Sequence, residues 1–321
     1  MFEYKWIYKI KKVLFFRDFK EFSGGHLKVW HYFNHFNHEK YTPCISFSQD
    51  SLWDTSNPWL PIKNKVLSPL DKRDPDIIFL AGLDWLRKDE IKNYSDTTPI
   101  INLIQHVRHS HPDTALYSFL QNKAIRICVS EQVTKAITQT GQVNGPIYTI
   151  PNGIDLQQLP LPIPFKDRTI DILIAGLKQN QLAQHLYDSL EPLNKKIVVL
   201  TKKIPQTDYL TLVSQAKIAV FLPHFEEGFF LPALEAMFME TLVVCPDCIG
   251  NRSFCLPEYN CLLPQYTFDD VLNAINTALS LPENVKQQLL SNAKLTASKH
   301  SLVAERKEFY DILNNLSDIW W

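Results

Sequence analysis

Two glutamates eight positions apart, Glu227 and Glu235, are the residues whose spacing most clearly suggests chemistry. Glu227 lies in a predicted turn with Gly228, and Glu235 lies on the helix that follows, which has Pro232 in its first turn, where the missing proline N–H costs nothing. Backbone N–H groups at a helix N-terminus can receive an anion, whereas carboxylates only accept hydrogen bonds. The segment is therefore suited to a ligand that carries phosphate and hydroxyl groups, such as a phosphorylated ribose or hexose.

The elements that must position these glutamates follow from the apolar pattern. A strand is predicted over residues 218–222, a helix over 231–238 and another strand over 242–245. The same patterns recur along the chain. Further strands are predicted over residues 11–16, 77–81, 100–104, 124–129, 170–176 and 196–200, and further helices over 26–38, 112–121, 131–138, 268–281, 283–298 and 302–313. This alternation favours parallel sheets with helices on both faces.

A break in the pattern divides the chain. Residues 160–164 read P-L-P-I-P, which is typical of a linker. We therefore predict a first α/β domain over residues 1–155, joined by a C-terminal helix over 302–321, and a second over 165–301. Two such sheets would face each other across a cleft, with ligands at the carboxyl ends of the strands.

The run E-G-F-F-L-P-A-L-E-A-M from Glu227 to Met237 resembles the donor-site motif of the family 4 glycosyltransferases. Shorter pieces resemble the same family in the same order. They are F-S-G-G-H at residues 22–26, I-P-N-G-I-D at 150–155, D-I-L-I-A-G at 171–176 and the stretch 251–264. The resemblance implies an α/β fold with two facing Rossmann-like domains, the GT-B architecture.

The resemblance also implies a reaction. A sugar would pass from a nucleotide-diphosphate donor, of the UDP or GDP type, to a glycan, a lipid-linked or a small-molecule acceptor. The transfer would retain the anomeric configuration and need neither a metal nor another cofactor. In that family the glutamate corresponding to Glu227 contacts the transferred sugar and the one corresponding to Glu235 holds the ribose, while Gly24 and Gly25 approach the diphosphate from the first domain.

Further donor contacts are expected at the turn and after the strand that opens the second domain. These residues are Lys178, Gly228, Phe229, Phe230 and Leu231. Family members usually present an arginine and a lysine to the diphosphate, but here only Lys178 is available. Phe230 replaces a family glycine and is expected to narrow the pocket beside the transferred sugar.

Histidines follow a predicted strand of the first domain. The family often has one beside the transferred sugar, and here His106 is the first candidate for that catalytic contact and His109 the second. Arg108 is an alternative contact for the diphosphate. The competing interpretation is that these are loop histidines that bind backbone groups.

Other clusters favour structural roles. His31, His35 and His38 have helical spacing and are expected to form a solvated face. Cys245, Cys248, Cys255 and Cys261 are spaced too irregularly for zinc, so buried thiols are expected, with Cys261 starting a strand. The aromatic loop over residues 47–61, with Trp53 and Trp59, is either an acceptor surface or core.

Composition narrows the function classes. The 321 residues carry 33 basic and 34 acidic side chains, a net charge of −1, which gives no electrostatic case for binding nucleic acid. Six cysteines favour a reducing compartment, and no apolar run approaches the ~18 residues of a membrane-spanning helix. We therefore expect a cytoplasmic protein. The basic aromatic segment over residues 1–20 is either a peripheral contact with the inner face of a membrane or a first strand flanked by solvated lysines.

Glycine is scarce, with nine residues. Five of them fall in the motif segments and a sixth, Gly250, directly precedes the stretch 251–264, and at these positions we expect the backbone to approach the cleft. Two alternatives to a transferase stay open. One is a nucleotide-sugar epimerase or phosphorylase on the same fold, and the other is a non-catalytic module that binds a nucleotide sugar.

Overall fold

The computed structural model describes residues 9–37, 39–66, 74–90 and 97–321. These residues form two compact units. The first contains the described residues up to Val129, together with Val133–Ile150 and Arg306–Trp321. The second contains Ser130–Gln132 and Pro151–Glu305. Each unit is built on a parallel sheet, so the predicted α/β class with two Rossmann-like sheets is confirmed.

The first unit contains a six-stranded sheet in the order β2-β1-β3-β4-β5-β6. Its strands are β1 (Lys11–Arg17), β2 (Tyr41–Phe47), β3 (Ile77–Ala81), β4 (Ile100–Ile104), β5 (Ile125–Cys128) and β6 (Ile147–Thr149). Every residue of β3, β4 and β5 is buried. Parallel strands covered on both faces read as unbroken apolar runs, which is why the sequence reveals them.

The second unit contains a four-stranded sheet in the order β10-β9-β7-β8. Its strands are β7 (Ile170–Ala175), β8 (Ile197–Leu200), β9 (Ala216–Phe221) and β10 (Leu242–Val244). All neighbouring pairs are parallel, so the four carboxyl ends lie along one edge of the sheet.

The α-helices complete both units. They are α1 (Gly24–His35), α2 (Ala115–Ser118), α3 (Glu131–Thr138), α4 (Asn180–Leu190), α5 (Gln206–Gln215), α6 (Leu231–Phe238), α7 (Phe268–Ser280), α8 (Glu283–Lys299), α9 (Leu302–Asn314) and α10 (Leu316–Trp320). In the second unit, apolar side chains of α4, α7 and α8 pack with those of β7, β9 and β10 into one core.

Several predicted elements differ from the structure. The predicted helix over 112–121 is a single turn, α2, followed by a 3-10 turn over Phe119–Gln121. The edge strands β2 and β6 and the helices α4 and α5 were not predicted. Strand β2 contains Pro43, which a sheet tolerates at its edge because proline donates no ladder hydrogen bond.

The glycine pair near the N-terminus lies in helix α1, which begins two residues before the predicted start at residue 26. Helix α1 begins at Gly24 because the Ser23 hydroxyl accepts the backbone N–H of His26 at 3.3 Å and so caps the first turn. The helix ends at His35, earlier than predicted, and His38 lies outside the described residues.

The predicted solvated histidine face of α1 is wrong. His31 and His35 are both buried. His31 Nδ1 lies 3.2 Å from the Lys28 ammonium. His35 Nδ1 accepts a hydrogen bond from Arg306 Nε at 3.2 Å, and the His35 carbonyl accepts one from the Tyr310 hydroxyl at 2.7 Å. The C-terminal segment covers this face, and helical periodicity alone does not reveal such a partner.

The basic segment at the N-terminus is only partly described, since residues 1–8 lie outside the described ranges. Arg17 is buried in an ion pair with Asp84. Lys9 pairs with Asp76 at 3.0 Å, and Lys20 with Asp18 at 3.1 Å. Contact of this segment with a membrane stays a prediction. In the part of the chain that the structure describes, no helix is both long and apolar enough to span a bilayer.

Candidate functional site

The turn that carries Glu227 is held by backbone contacts with the loop after β10. The Ile249 N–H donates to the Phe225 carbonyl, and the Phe230 N–H donates to the Gly250 carbonyl, each at 2.9 Å. A Cβ atom on Gly250 would lie 2.8 Å from the Glu227 carbonyl oxygen, closer than real contacts allow. The absence of a side chain at residue 250 therefore permits the position of the turn.

Glu227 and Lys178 form an ion pair at the carboxyl edge of the second sheet. Lys178 follows β7 and Glu227 follows β9, and these strands are neighbours. The Glu227 side chain is 19% exposed and that of Lys178 is 55% exposed, so both remain accessible to solvent. The structure thus brings together two of the predicted donor-binding side chains.

Glu235 lies on α6, one turn into the helix, and is buried. Burial disfavours the charged carboxylate and raises its pKa to about 7. Its side chain accepts no hydrogen bond from any residue that the structure describes. A ligand with hydroxyl groups would supply the donors that this carboxylate lacks.

Backbone N–H groups of the turn differ in their availability. The Phe230 N–H is taken by Gly250, so the predicted donor contact cannot use it without breaking that bond. The N–H groups of Gly228, Phe229 and Leu231 have no acceptor within the described ranges. These three groups stand at the N-terminal end of α6, where the helix dipole favours an anion.

The two phenylalanine side chains of the turn are buried anchors. The Phe230 ring packs edge-on against Phe221 at 5.8 Å between centroids, and the Phe229 ring packs on Phe254 at 5.2 Å. Burial against β9 is a sufficient role for the Phe230 ring. Its predicted narrowing of a sugar pocket stays a prediction.

In the first unit, the glycine pair and His106 lie at the ends of neighbouring elements. The Gln105 side-chain amide, just after β4, donates to the Gly25 carbonyl at 3.3 Å. A Cβ atom would meet nothing within 4 Å at Gly24 and only ordinary contacts at Gly25. Neither glycine is needed for its backbone angles, so their effect is to leave space at the N-terminus of α1.

His106 caps the 3-10 turn Val107–Ser110. Its Nδ1 accepts the Arg108 backbone N–H at 3.1 Å and lies 3.3 Å from Arg108 Nε. Because Nδ1 accepts, the neutral ring carries its proton on Nε2. The backbone contact that the competing interpretation expected is therefore present.

The other first-unit candidates are less suited to ligand contact. His109 is buried, and burial together with Arg126 lowers its pKa to about 3. Trp59 is also buried and packs edge-on against Trp30 at 5.3 Å, so it belongs to the core. Trp53 is half-buried against Phe47 at 4.6 Å between centroids.

The cysteine-rich loop after β10 holds buried free thiols, as predicted. These are Cys245, Cys248, Cys255 and Cys261. Over the described ranges, no group of three or more metal-ligating side chains is arranged to hold an ion. The Asn251 amide donates to Cys245 Sγ at 3.3 Å and so fixes the loop. Cys261 forms an isolated bridge with Pro257 and does not start a strand, which corrects the prediction.

Comparison with protein families bears on the second unit. Residues 160–296 match the family model described as glycosyl transferases group 1. The match includes Lys178, the Glu227 turn and Glu235, so these side chains lie in the segment that resembles the family. A search of curated proteins found no match.

Solved structures match over both units. Sucrose-phosphate synthase from Thermosynechococcus elongatus is 12% identical, with a TM-score of 0.69 over 95% of this chain and 99% of that one. HepE from Anabaena, solved with UDP-glucose, is 13% identical, with a TM-score of 0.70 over 95% and 100%. The lipopolysaccharide outer core galactosyltransferase WaaB is 13% identical, with a TM-score of 0.67 over 95% and 99%. At these identities the likeness establishes a shared fold.

Sequence reasoning missed one polar group near Glu235. The Tyr209 hydroxyl, on α5, is buried and has no hydrogen-bond partner among the residues that the structure describes. The apolar spacing of Leu210 and Val213 could have revealed that helix, but periodicity does not show that the hydroxyl of the adjacent Tyr209 is buried.

Proposed function

We propose that this protein is a family 4 glycosyltransferase that moves a sugar from a nucleotide-diphosphate donor to an acceptor. One observation carries the proposal. Glu227, Lys178, the N–H groups around Gly228 and the buried carboxyl of Glu235 lie together in the second unit, within the segment that matches the group 1 glycosyl transferase model. The two glutamates have the E-x7-E spacing of the donor motif.

The donor diphosphate would bind at the N-terminal end of α6. The N–H groups of Gly228, Phe229 and Leu231 are suited to its oxygens, and Lys178 supplies a charge. Lys178 already contacts Glu227. Bound diphosphate would therefore share this ammonium with Glu227, and that contact would place the Glu227 carboxylate beside the sugar that is attached to the phosphate.

Catalysis would rest on charge stabilisation and positioning. As the bond to the anomeric carbon breaks, negative charge collects on the departing diphosphate, where Lys178 and the helix N–H groups stabilise it. Glu235 would hold the ribose. As the family resemblance implies, Gly24 and Gly25 would contribute to binding the diphosphate, and His106 would contact the sugar or the acceptor. We propose that the reaction retains the anomeric configuration and needs no metal.

The donor and acceptor classes are narrower proposals. HepE, solved with UDP-glucose, has the same fold, which supports a UDP-hexose ahead of a GDP-sugar as donor. The acceptor would be a glycan, a lipid-linked sugar or a small molecule.

Two measurements test the proposal. Thermal shift against a panel of UDP- and GDP-sugars should identify the donor by a rise in melting temperature. With that donor, Glu227→Ala should lower the release of nucleotide at least 100-fold, because the carboxylate beside the sugar is lost. The control is Glu191→Ala, an exposed glutamate on the turn Glu191–Leu193 of the same unit. Turnover within a few-fold of wild type in Glu227→Ala would refute the role of that residue.

A non-catalytic binding module is the second candidate, favoured by the same ion pair. Glu227 already neutralises Lys178, which leaves a single shared cation for a diphosphate. Such a module would bind the donor in calorimetry but release no nucleotide with any acceptor, whereas a transferase would do both.

A further inference from the structure

The Tyr209 side chain has an unused hydroxyl inside the second unit. Tyr209 lies on α5, and its hydroxyl oxygen is buried with no hydrogen-bond partner in the described part of the chain. Two other tyrosine hydroxyls have partners: that of Tyr266 donates to the Pro223 carbonyl at 2.6 Å and that of Tyr310 to the His35 carbonyl at 2.7 Å. A buried hydroxyl without a partner lowers stability, so it calls for an explanation.

Glu235 is the polar neighbour of this hydroxyl. Tyr209 is on α5, which packs against α6, the helix that carries Glu235. Burial, together with the nearby Glu235 and Cys245, raises the pKa of Tyr209 well above 10. The phenol therefore keeps its proton and can donate. No direct hydrogen bond joins the phenol to the carboxyl in the described structure. Two helices thus bring a donor and an acceptor close together, and each retains unused hydrogen-bonding capacity.

A pair of adjacent hydroxyl groups on a ligand would complement both side chains. One ligand hydroxyl donates to the Glu235 carboxyl, and the Tyr209 hydroxyl donates to the oxygen of the other. A phosphate would suit the site poorly, because the carboxyl of Glu235 lowers the affinity of the site for anions. The chemistry therefore favours a neutral vicinal diol.

We propose that Tyr209 is a further donor-binding residue, which works with Glu235 to bind the 2′,3′-diol of the donor ribose. The inference rests on the proposed function, since it assumes a ribonucleotide in the second unit. It adds a residue outside the Glu227–Met237 motif, on a helix that the apolar pattern did not reveal.

The substitution Tyr209→Phe removes only the hydroxyl and keeps the aromatic ring. If the hydroxyl serves a ligand, the ligand-free variant should melt at or above the temperature of wild type, because an unsatisfied buried group is gone. If instead the hydroxyl has a structural partner, the variant should melt lower. Tyr310→Phe is the matched control: its partnered hydroxyl lies in the other unit, so the variant should melt below wild type.

Binding provides the second measurement. Calorimetry with UDP and GDP identifies the nucleotide that wild type binds. For that nucleotide, Tyr209→Phe should raise Kd about 5- to 15-fold, as expected for one hydrogen bond. Tyr310→Phe should leave the Kd unchanged.

Deoxynucleotides show which ligand group Tyr209 contacts. The 2′-deoxy and 3′-deoxy forms should bind wild type more weakly than the parent nucleotide does. For one of these two forms, Tyr209→Phe should cause no further loss of affinity. If both deoxy forms lose the same factor on Tyr209→Phe as the parent nucleotide does, the hydroxyl binds another part of the ligand and the ribose assignment is wrong.

The outcomes separate the two proposals. If wild type binds neither nucleotide, nor any nucleotide sugar, both the proposed function and the ribose site are refuted. If wild type binds and Tyr209→Phe binds equally well, the proposed function stands and the role of Tyr209 is refuted. A lower melting temperature in Tyr209→Phe with unchanged Kd would assign the hydroxyl to the fold alone.

Discussion

The buried carboxyl of Glu235 should make the ligand-free protein less stable as the pH rises. In the folded chain burial raises its pKa to about 7, from the ordinary 4.5. The folded state therefore holds a proton that the unfolded state releases between these values, and stability falls as pH rises through this range. The substitution Glu235→Gln removes this titration and keeps a side chain of similar size.

The magnitude follows from the two pKa values. One pKa unit corresponds to about 1.4 kcal/mol. Relative to wild type, Glu235→Gln should gain about 1 kcal/mol at pH 5, where the folded carboxyl is still protonated, and about 3 kcal/mol at pH 8, where both states are ionised. The same variant should bind the donor more weakly, because an amide replaces the acceptor for a ribose hydroxyl.

Urea unfolding at pH 5 and pH 8, followed by far-ultraviolet circular dichroism, measures this difference in unfolding free energy between Glu235→Gln and wild type. All seven tryptophans lie outside residues 151–305, so tryptophan fluorescence does not report directly on the unit that contains Glu235. The exposed Glu191→Gln is the control and should change stability little at either pH. A gap between Glu235→Gln and wild type that stays constant from pH 5 to pH 8 would show that Glu235 is not a buried carboxyl with a raised pKa.

Three further substitutions test the packing of the second unit. Gly250→Ala should cost about 2 kcal/mol and weaken donor binding, because the new Cβ would overlap the Glu227 carbonyl. Glu240→Gly should match or exceed wild-type stability. Glu240 has a φ of 56°, a left-handed conformation that glycine adopts without strain, and this gain offsets the loss of the half-exposed ion pair between Glu240 and Lys294. Arg168→Met should cost about 3 kcal/mol, because this buried guanidinium donates to the carbonyls of Ile163, Ala216 and Met239.

Each of these variants has a matched control in chemical denaturation. Gly24→Ala adds a methyl group where nothing lies within 4 Å and should not lower stability. Glu240→Ala keeps the left-handed backbone and loses the ion pair, so it should be about 1 kcal/mol less stable than Glu240→Gly. Arg252→Met removes an exposed ion pair with Asp247 and should cost under about 1 kcal/mol. A reversed order within any pair would contradict the corresponding argument.

The glycines show where sequence position misleads. The positive φ values among glycines of the described chain belong to Gly82, Gly141 and Gly145, which lie outside the motif segments. The motif glycines Gly176 and Gly250 are needed for another reason, since a Cβ would lie 2.3 Å from Ala183 Cβ and 2.8 Å from the Glu227 carbonyl oxygen, respectively. The scarcity of glycine drew attention to the motif positions, but close packing explains the need for glycine at only some of them.

Strands and the donor motif could be predicted because their signals are local. Buried parallel strands such as β3 and β9 leave continuous apolar runs, and the run from Glu227 to Met237 places the carboxylates and the helix start within eleven residues. The edge strand β2, with Pro43, and the helices α4 and α5 carry weaker local signals and were missed.

By itself the sequence determined which residue types were available and in what local order, which was enough for the α/β class and the candidate donor turn. Only the tertiary structure decided that Lys178 meets Glu227, that Tyr209 lies beside Glu235 and that His31 and His35 are buried. These outcomes depend on partners 26 to 275 positions away, as for Tyr209 with Glu235 and for His35 with Tyr310. Burial and pairing arise from such contacts, and local periodicity does not encode which distant segment covers a given face.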